Sequence, residues 1–185
     1  MNVYGTKLPG LKLIEPAIHG DHRGFFVESY NEVRYVQMGI TTKFVQDNHS
    51  LSVEAGVLRG LHYQMNPKAQ TKLVRCTAGA IYDVVVDIRK GSPTFGQWQG
   101  FILSATNHRQ LLVPKGFAHG FCTLVPNSEV QYKVDEFYSA EHDRGIAWND
   151  PALGIDWPVR KPVLSDKDGK HPILADADIN FAFEG

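Results

Sequence analysis

The 185 residues include only two cysteines, Cys76 and Cys122, too few for a disulfide framework or a four-thiolate metal cage. Each sits among apolar neighbours, which predicts a reduced, buried thiol. An excess of one charge is missing as well. With 19 Lys and Arg against 20 Asp and Glu, no basic field exists to hold a nucleic-acid backbone non-specifically, although a few placed cations suffice for the phosphates of a small ligand. No apolar run approaches the roughly 20 residues of a membrane span, and "MNVYGTKLPGLKL" lacks the continuous apolar core of a secretory signal. These absences predict a soluble cytoplasmic protein with neither a nucleic-acid nor a membrane partner. Internal repeats, low-complexity tracts and linkers are lacking too. A single domain over 1–185 is therefore expected, with 43% hydrophobic and 11% aromatic residues to fill its core.

What is present is strand signal. In "AIYDVVVDIR", Tyr82, Val84, Val86 and Ile88 share one face while Asp83, Val85, Asp87 and Arg89 share the other, the period-2 pattern of a half-buried strand. The segments "LKLIEP", "GFFVESY", "KFVQDNHSLS", "VLRGLHYQ", "KLVRCT", "QWQGFILS", "RQLLVP", "AHGFCTLV" and "EVQYKVDEFY" read as further strands, punctuated by turns such as "KGSPTFG" and "VPKGFAHG". Many short strands of this kind predict an all-β barrel or two-sheet sandwich. One short helix is expected in "NEVRYVQMG", with Asn31 as N-cap and Gly39 in the left-handed position beyond its end. After Tyr138 the chain is turn-rich and is expected to wrap irregularly over the barrel.

The stretch "GVLRGLHYQ" holds the first sign of chemistry. Gly56, five residues and His62 begin the G-x5-H-x-H pattern of the metal-binding double-stranded β-helix, the cupin, but Gln64 stands where a second His is required. A second block, "VPKGFAHGF", keeps Pro114, Gly116 and His119. His62 and His119 are only two obvious ligands where a transition metal wants three or four, and the cationic Lys72 suits a developing oxyanion better than an ion. No metal is expected. Arg59 and His62, an odd number of residues apart, face opposite sides of a regular strand, unless Gly60 permits a bulge that turns both inward.

"FFVESYN", "QDNHS", "GVLRGLHYQ", "QTKLVRCTAGAIYDVVVDIRKGSPTFGQW", "LLVPKGFAHGF", "YKVDEFYS", "WNDPALGIDWP" and "LSDKD", in this order along nearly the whole chain, resemble the dTDP-4-dehydrorhamnose 3,5-epimerase family of cupin-fold enzymes. The resemblance implies a cupin jelly roll with a few short helices, mainly near its ends. It also implies inversion of carbons 3 and 5 of a dTDP-linked 4-keto-6-deoxy sugar in dTDP-rhamnose synthesis, without cofactor. In that reading His62 is the base, Asp168 its dyad partner, Lys72 the enolate stabiliser and Tyr132 the acid on the opposite face. Asp166 competes with Asp168, and only the alignment of "KD" prefers the latter. Arg59 and His119 resemble binders of phosphate and sugar. Arg23, Glu28 and the run Gln46, Asp47 and Asn48 resemble thymidine and phosphate contacts, and Tyr138 resembles a base-stacking ring. Lys167 resembles a further sugar contact, and Asp143 stands where the family places Glu. The family also implies a homodimer with exchanged N-terminal strands, with which the apolar "LKLIEP" is compatible. Three rivals remain open: a single-carbon epimerase or ketoisomerase on the same scaffold, a non-catalytic sugar-binding cupin, and a metal cupin oxygenase.

Overall fold

Between Gly56 and Val134 the alternating segments are too short to form one long sheet, and the turns between them send the chain back and forth between two. The computed structural model describes residues 1–184. Its strands are β1 (Asn2–Gly5), β2 (Lys12–Glu15), β3 (Ile18–Asp21), β4 (Gly24–Val27), β5 (Gln46–Ser52), β6 (Leu58–Gln64), β7 (Lys72–Ala78), β8 (Ala80–Asp87), β9 (Trp98–Ser104), β10 (Gln110–Val113), β11 (Phe117–Thr123), β12 (Ser128–Val134) and β13 (Asp143–Gly145). One sheet has the order β1-β2-β10-β7-β12-β5 and the other β13-β6-β11-β8-β9, while β3 and β4 form a separate hairpin. From β5 onward the chain changes sheet at nearly every step, and neighbouring strands pair antiparallel. This interleaving is the all-β jelly roll of the cupins.

Three apolar layers hold it. Val74, Cys76, Ile81, Val85, Leu111, Phe121 and Val130 fill the space between the sheets. Leu58, Leu61, Val84, Val86 and Ile88 lie on the outer face of the five-stranded sheet, where Ile146, Trp157, Ile179 and Phe181 of the C-terminal segment cover them. Ile14, Leu73 and Leu112 on the outer face of the six-stranded sheet are covered by Tyr35 and Ile40. Tyr35 belongs to the helix α1 (Glu32–Gln37), where Asn31 Oδ1 accepts the Arg34 N–H and Gly39 has φ +77°. The helix thus begins and ends where the sequence predicts.

The half-buried reading of "AIYDVVVDIR" is corrected. Both faces of β8 are covered, because the tail packs over the Val84 and Val86 side while the Asp83, Val85 and Asp87 side faces the barrel interior. Asp87 is tolerated inside because it accepts from Arg89, Ser92 and Thr94. The strands β1, β3 and β13 are not among those read from the sequence. They are three or four residues long and largely exposed or tail-borne, so alternation has little room to appear.

Candidate active site

Strand β6 carries its polar groups inward only because it is bulged. His62 pairs with His119 and Arg59 with Phe121, so three steps on β6 match two on β11. The extra residue resets the alternation, and Arg59 and His62 both reach the same cleft while Leu58 and Leu61 pack outward. Gly60 makes this possible: its φ is +125°, and a Cβ there would lie 2.6 Å from Gly120 Cα and 2.8 Å from the His119 carbonyl oxygen.

The cleft, of about 420 Å³, opens between the two sheets. Arg59, His62, His119 and Phe121 line one wall from the five-stranded sheet, and Lys72, Tyr132 and Ser50 line the other from the six-stranded sheet. The C-terminal segment supplies the rim with Leu164, Ser165, Lys167 and Asp168. That segment is pinned by a parallel bridge between Val163 and Val57, with the Leu58 N–H donating to the Val163 carbonyl at 3.0 Å. It then turns through a single 3-10 turn (Asp168–Lys170) over His62, with the Asp168 N–H donating to Ser165 Oγ at 3.1 Å.

His62 Nε2 and Asp168 Oδ1 are 2.5 Å apart. Asp168 is 5% exposed, whereas Asp166 points into solvent, so the carboxylate on the imidazole is that of Asp168. Burial pushes the Asp168 carboxyl up, but the hydrogen bond and charge of His62, with Ser165 and the Gly60 backbone, outweigh it and hold the group below the usual carboxylate range. The acid form is thereby suppressed and the carboxylate remains an acceptor. With Nε2 committed to Asp168, Nδ1 is the nitrogen left free, and among the described residues it has no protein hydrogen-bond partner.

On the facing wall, burial drives the Lys72 ammonium down to about 8, against the opposing pull of Asp143 and Asp83. Lys72 forms no ion pair among the described residues, so its charge is not spent on a protein carboxylate. Burial raises the Tyr132 phenol, with Asp143 adding to the rise and Arg59 opposing it, so the hydroxyl keeps its proton at neutral pH.

His119 is buried, yet it is more than a packed core residue: its Nε2 lies 2.8 and 3.0 Å from the two oxygens of the fully buried Asp83. Beyond the rim, Asp143 accepts from the Tyr138 hydroxyl at 3.2 Å and from Lys167 Nζ. That hydrogen bond raises the Lys167 ammonium and keeps it charged. Gln46 and Asn48 share the inward face of β5 and bond to each other at 2.9 Å, and the Tyr138 N–H donates to Gln46 Oε1.

Seven candidates do not line this cleft: Asp143 and Tyr138 stand beyond its rim, joined to it through Lys167, Gln46 and Asn48 lie further along β5, and three others point away from it. Asp47 alternates to the outer face of β5 and pairs with Lys133 at 2.8 Å. Arg23 sits at the tip of the β3–β4 hairpin against Asp21, and Glu28 pairs with Arg34. Gly60 makes the bulge that the sequence allowed for, while three residues that sequence reasoning missed lie in or against the site. Asp83 was hidden as one carboxylate on a valine-rich strand. Ser165 and His171 lie in a segment without periodicity. His171 also overturns the count of two candidate ligands, because it joins His62 and Asp168 in a cluster whose ligand atoms lie within 4.8 Å of one another.

Residues 5–176 match the family described as dTDP-4-dehydrorhamnose 3,5-epimerase. A protein of that name from Shigella flexneri is 54% identical over 179 residues, covering 96% of this chain and 98% of the relative. Among solved structures, the dTDP-4-dehydrorhamnose 3,5-epimerase of Bacillus anthracis, with TDP and PPi bound, is 63% identical with a TM-score of 0.91, over 93% of this chain and 98% of that one. A dTDP-6-deoxy-D-glucose-3,5-epimerase from Legionella pneumophila, in complex with dTDP-4-keto-L-rhamnose, is 48% identical with a TM-score of 0.95, over 100% of this chain and 99% of that one. The jelly roll, the carboxylate-held imidazole and a match along almost the whole sequence agree: the chain belongs to the dTDP-4-dehydrorhamnose 3,5-epimerase family.

Proposed function

We propose that the chain, as one catalytic domain over 1–185, inverts carbons 3 and 5 of dTDP-4-dehydro-6-deoxy-D-glucose to give dTDP-4-dehydro-L-rhamnose in dTDP-rhamnose synthesis. Both carbons flank the C4 carbonyl, so removing either proton delivers its electron pair into an enolate on O4. His62 Nδ1 takes the proton, and Asp168 stabilises the imidazolium that results. The Lys72 ammonium donates to O4, where one preorganised donor is worth about 3 kcal/mol of barrier. Tyr132 returns a proton from the other side, its phenolate then facing the cations Lys72 and Arg59. His62 releases its proton to water, Tyr132 regains one, and the second carbon follows.

The observation that carries this reading is the division of labour between the walls. The carboxylate-held imidazole belongs to one sheet while Lys72 and Tyr132 belong to the other, so a sugar between them is met by a base and an acid on opposite faces. Arg59, His119 and Lys167 are suited to phosphate and sugar oxygens, and Gln46, Asn48 and Tyr138 to the thymidine. No organic cofactor is required for this chemistry.

The exposed hairpin supports a homodimer. Phe25 and Phe26 are 60% and 69% exposed on β4, beside Arg23, and such an apolar projection on a short chain seeks a partner surface. The strand β2, which holds most of "LKLIEP", has no free edge to exchange because it pairs with β1 and β10 of its own chain. In the proposed dimer the exchanged element is therefore the β3–β4 hairpin, which brings Arg23 and Glu28 to the other protomer's nucleotide, and a sedimentation mass of twice 20.7 kDa is expected. No helix is long and apolar enough to cross a membrane, and a cytoplasmic setting suits the reaction. Incubation with dTDP-4-dehydro-6-deoxy-D-glucose in deuterated water is expected to place deuterium at both C3 and C5. Label at one carbon alone would assign a single-carbon epimerase, and no label a binding protein.

A further inference from the structure

Asp168 Oδ1 has two imidazoles for neighbours. His62 Nε2 stands at 2.5 Å and His171 Nε2 at 3.3 Å. The His171 side chain is 9% exposed, and its Nε2 is fully buried with no hydrogen-bond partner among the described residues, an uncompensated loss of hydration in a protein interior. Its ring is held in place. It lies edge-on to His62 with 5.6 Å between centroids, and it occupies the space above Gly145, where a Cβ would come within 2.3 Å of Nε2. A nitrogen without a hydrogen bond among the described residues therefore stands, in a fixed pose, beside a carboxylate that already holds another imidazole.

We propose that His62, Asp168 and His171 form an inhibitory site for a divalent transition metal, best suited to Zn²⁺, which switches off the catalytic base when it binds. Two imidazole nitrogens and a carboxylate oxygen are a ligand set that Zn²⁺ accepts, with one position left open toward the cleft. Tetrahedral coordination at about 2.1 Å sets ligand atoms about 3.4 Å apart; Asp168 and His171 already stand 3.3 Å apart, His62 has to open from 2.5 Å to about that distance from Asp168, and all three ligand atoms lie within 4.8 Å of one another. Inhibition follows from the tautomer. Metal-free His62 carries its proton on Nε2, facing Asp168, and offers the Nδ1 lone pair to substrate. When Nε2 gives its lone pair to the ion, the proton moves by way of water to Nδ1, and the nitrogen facing the sugar becomes a donor instead of a base. No bond to carbon and no redox change is involved. Removing the ion restores the original tautomer. Lys167 lessens the site's affinity little, because Asp143 neutralises it, and Lys72 stands on the opposite wall.

The metal-binding half rests on geometry alone, and the inhibitory half rests on the proposed role of His62 as the base. The full-length protein, freed of metal by dialysis against chelator, is titrated with Co²⁺ and with Zn²⁺, and proton exchange on the sugar nucleotide is followed in parallel. One ion per chain is expected, with the strong visible absorption of tetrahedral Co²⁺. Exchange is expected to fall in proportion to Zn²⁺ bound and to return with EDTA. In His171→Asn, Zn²⁺ affinity and the Zn²⁺ concentration needed for inhibition, each taken against that variant's own metal-free protein, are expected to worsen by about a hundredfold or more. A measurement that needs no variant accompanies it: the ¹⁵N resonances of His62 and His171 shift together on Zn²⁺ addition to the wild-type protein. Failure to bind, equal affinity in His171→Asn, an unmoved His171 resonance, or binding without inhibition of an active enzyme would each overturn the proposal. A metal-free protein with no exchange activity at all would instead refute the epimerase reading and leave the Co²⁺ titration to decide the site.

Discussion

Gly60→Ala tests the bulge that gives this site its shape. The new methyl group would stand 2.6 Å from Gly120 Cα and 2.8 Å from the His119 carbonyl oxygen, where ordinary contact requires about 3.5 Å, and both neighbours are backbone that cannot rotate aside. The residue would also have to keep φ near +125°, a region that costs an L side chain about 1–3 kcal/mol. Together these set a loss on the order of 3–4 kcal/mol, a large part of the about 5–15 kcal/mol that holds a typical domain, and a fall in Tm of about 6–15 °C for a chain of this size. If β6 escapes the clash by straightening, the alternation shifts by one and Arg59 and His62 can no longer share a face. Turnover is then expected to drop by about a hundredfold or more, since displacements of about 1 Å have that effect. Gly91→Ala is the control, because Gly91 has φ +85° with no described atom within 4 Å of the added carbon and isolates the backbone cost. Thermal melts and sugar-nucleotide exchange rates read both outcomes. A Gly60→Ala protein with the wild-type Tm and rate would refute the steric reasoning outright.

Other substitutions separate stability from chemistry. Lys72→Met removes a cation that burial disfavours, so the fold is expected to gain on the order of 1–3 kcal/mol by denaturant titration while turnover falls at least about a hundredfold. In the wild type the Lys72 ammonium is lost as pH rises past about 8, and kcat/KM is expected to decline there. Because the folded state holds this proton less tightly than the unfolded chain, stability is expected to rise between pH about 8 and the ordinary lysine value of 10.5, and Lys72→Met should abolish that rise. Asp83→Ala leaves the buried His119 without its acceptor and is expected to cost about 1–3 kcal/mol, with KM raised more than kcat is lowered.

Much of the fold was legible because alternation is a local signal. The strands of the barrel and the Asn31-capped helix follow directly from residue spacing. What spacing could not reveal was which face of β8 lies inside. Asp83 and Asp87 look solvent-facing until Arg89, Ser92, Thr94 and His119 are seen to satisfy them, and those partners arrive from a neighbouring strand and from the turn that follows β8. The same limit governs the site. His62 and His119 announced themselves through their glycine-punctuated strands, but the meeting of His62 with Asp168 spans 106 residues and depends on a tail with no periodicity. Only the resemblance could favour Asp168 over Asp166. His171 was invisible for the same reason, since nothing in "LSDKDGKHP" tells which of its side chains turn inward.

The central claim is that the Asp168 carboxylate sets the tautomer of His62 and steadies its charge while the sugar loses a proton. The most direct measurement is the rate of deuterium entry into dTDP-4-dehydro-6-deoxy-D-glucose catalysed by Asp168→Asn, beside Asp166→Asn, both shown to fold and to bind dTDP. The expected result is a loss of about 10³–10⁴ for Asp168→Asn, the scale seen when an imidazole base loses its carboxylate, with wild-type exchange for Asp166→Asn. Wild-type exchange by Asp168→Asn would contradict the mechanism.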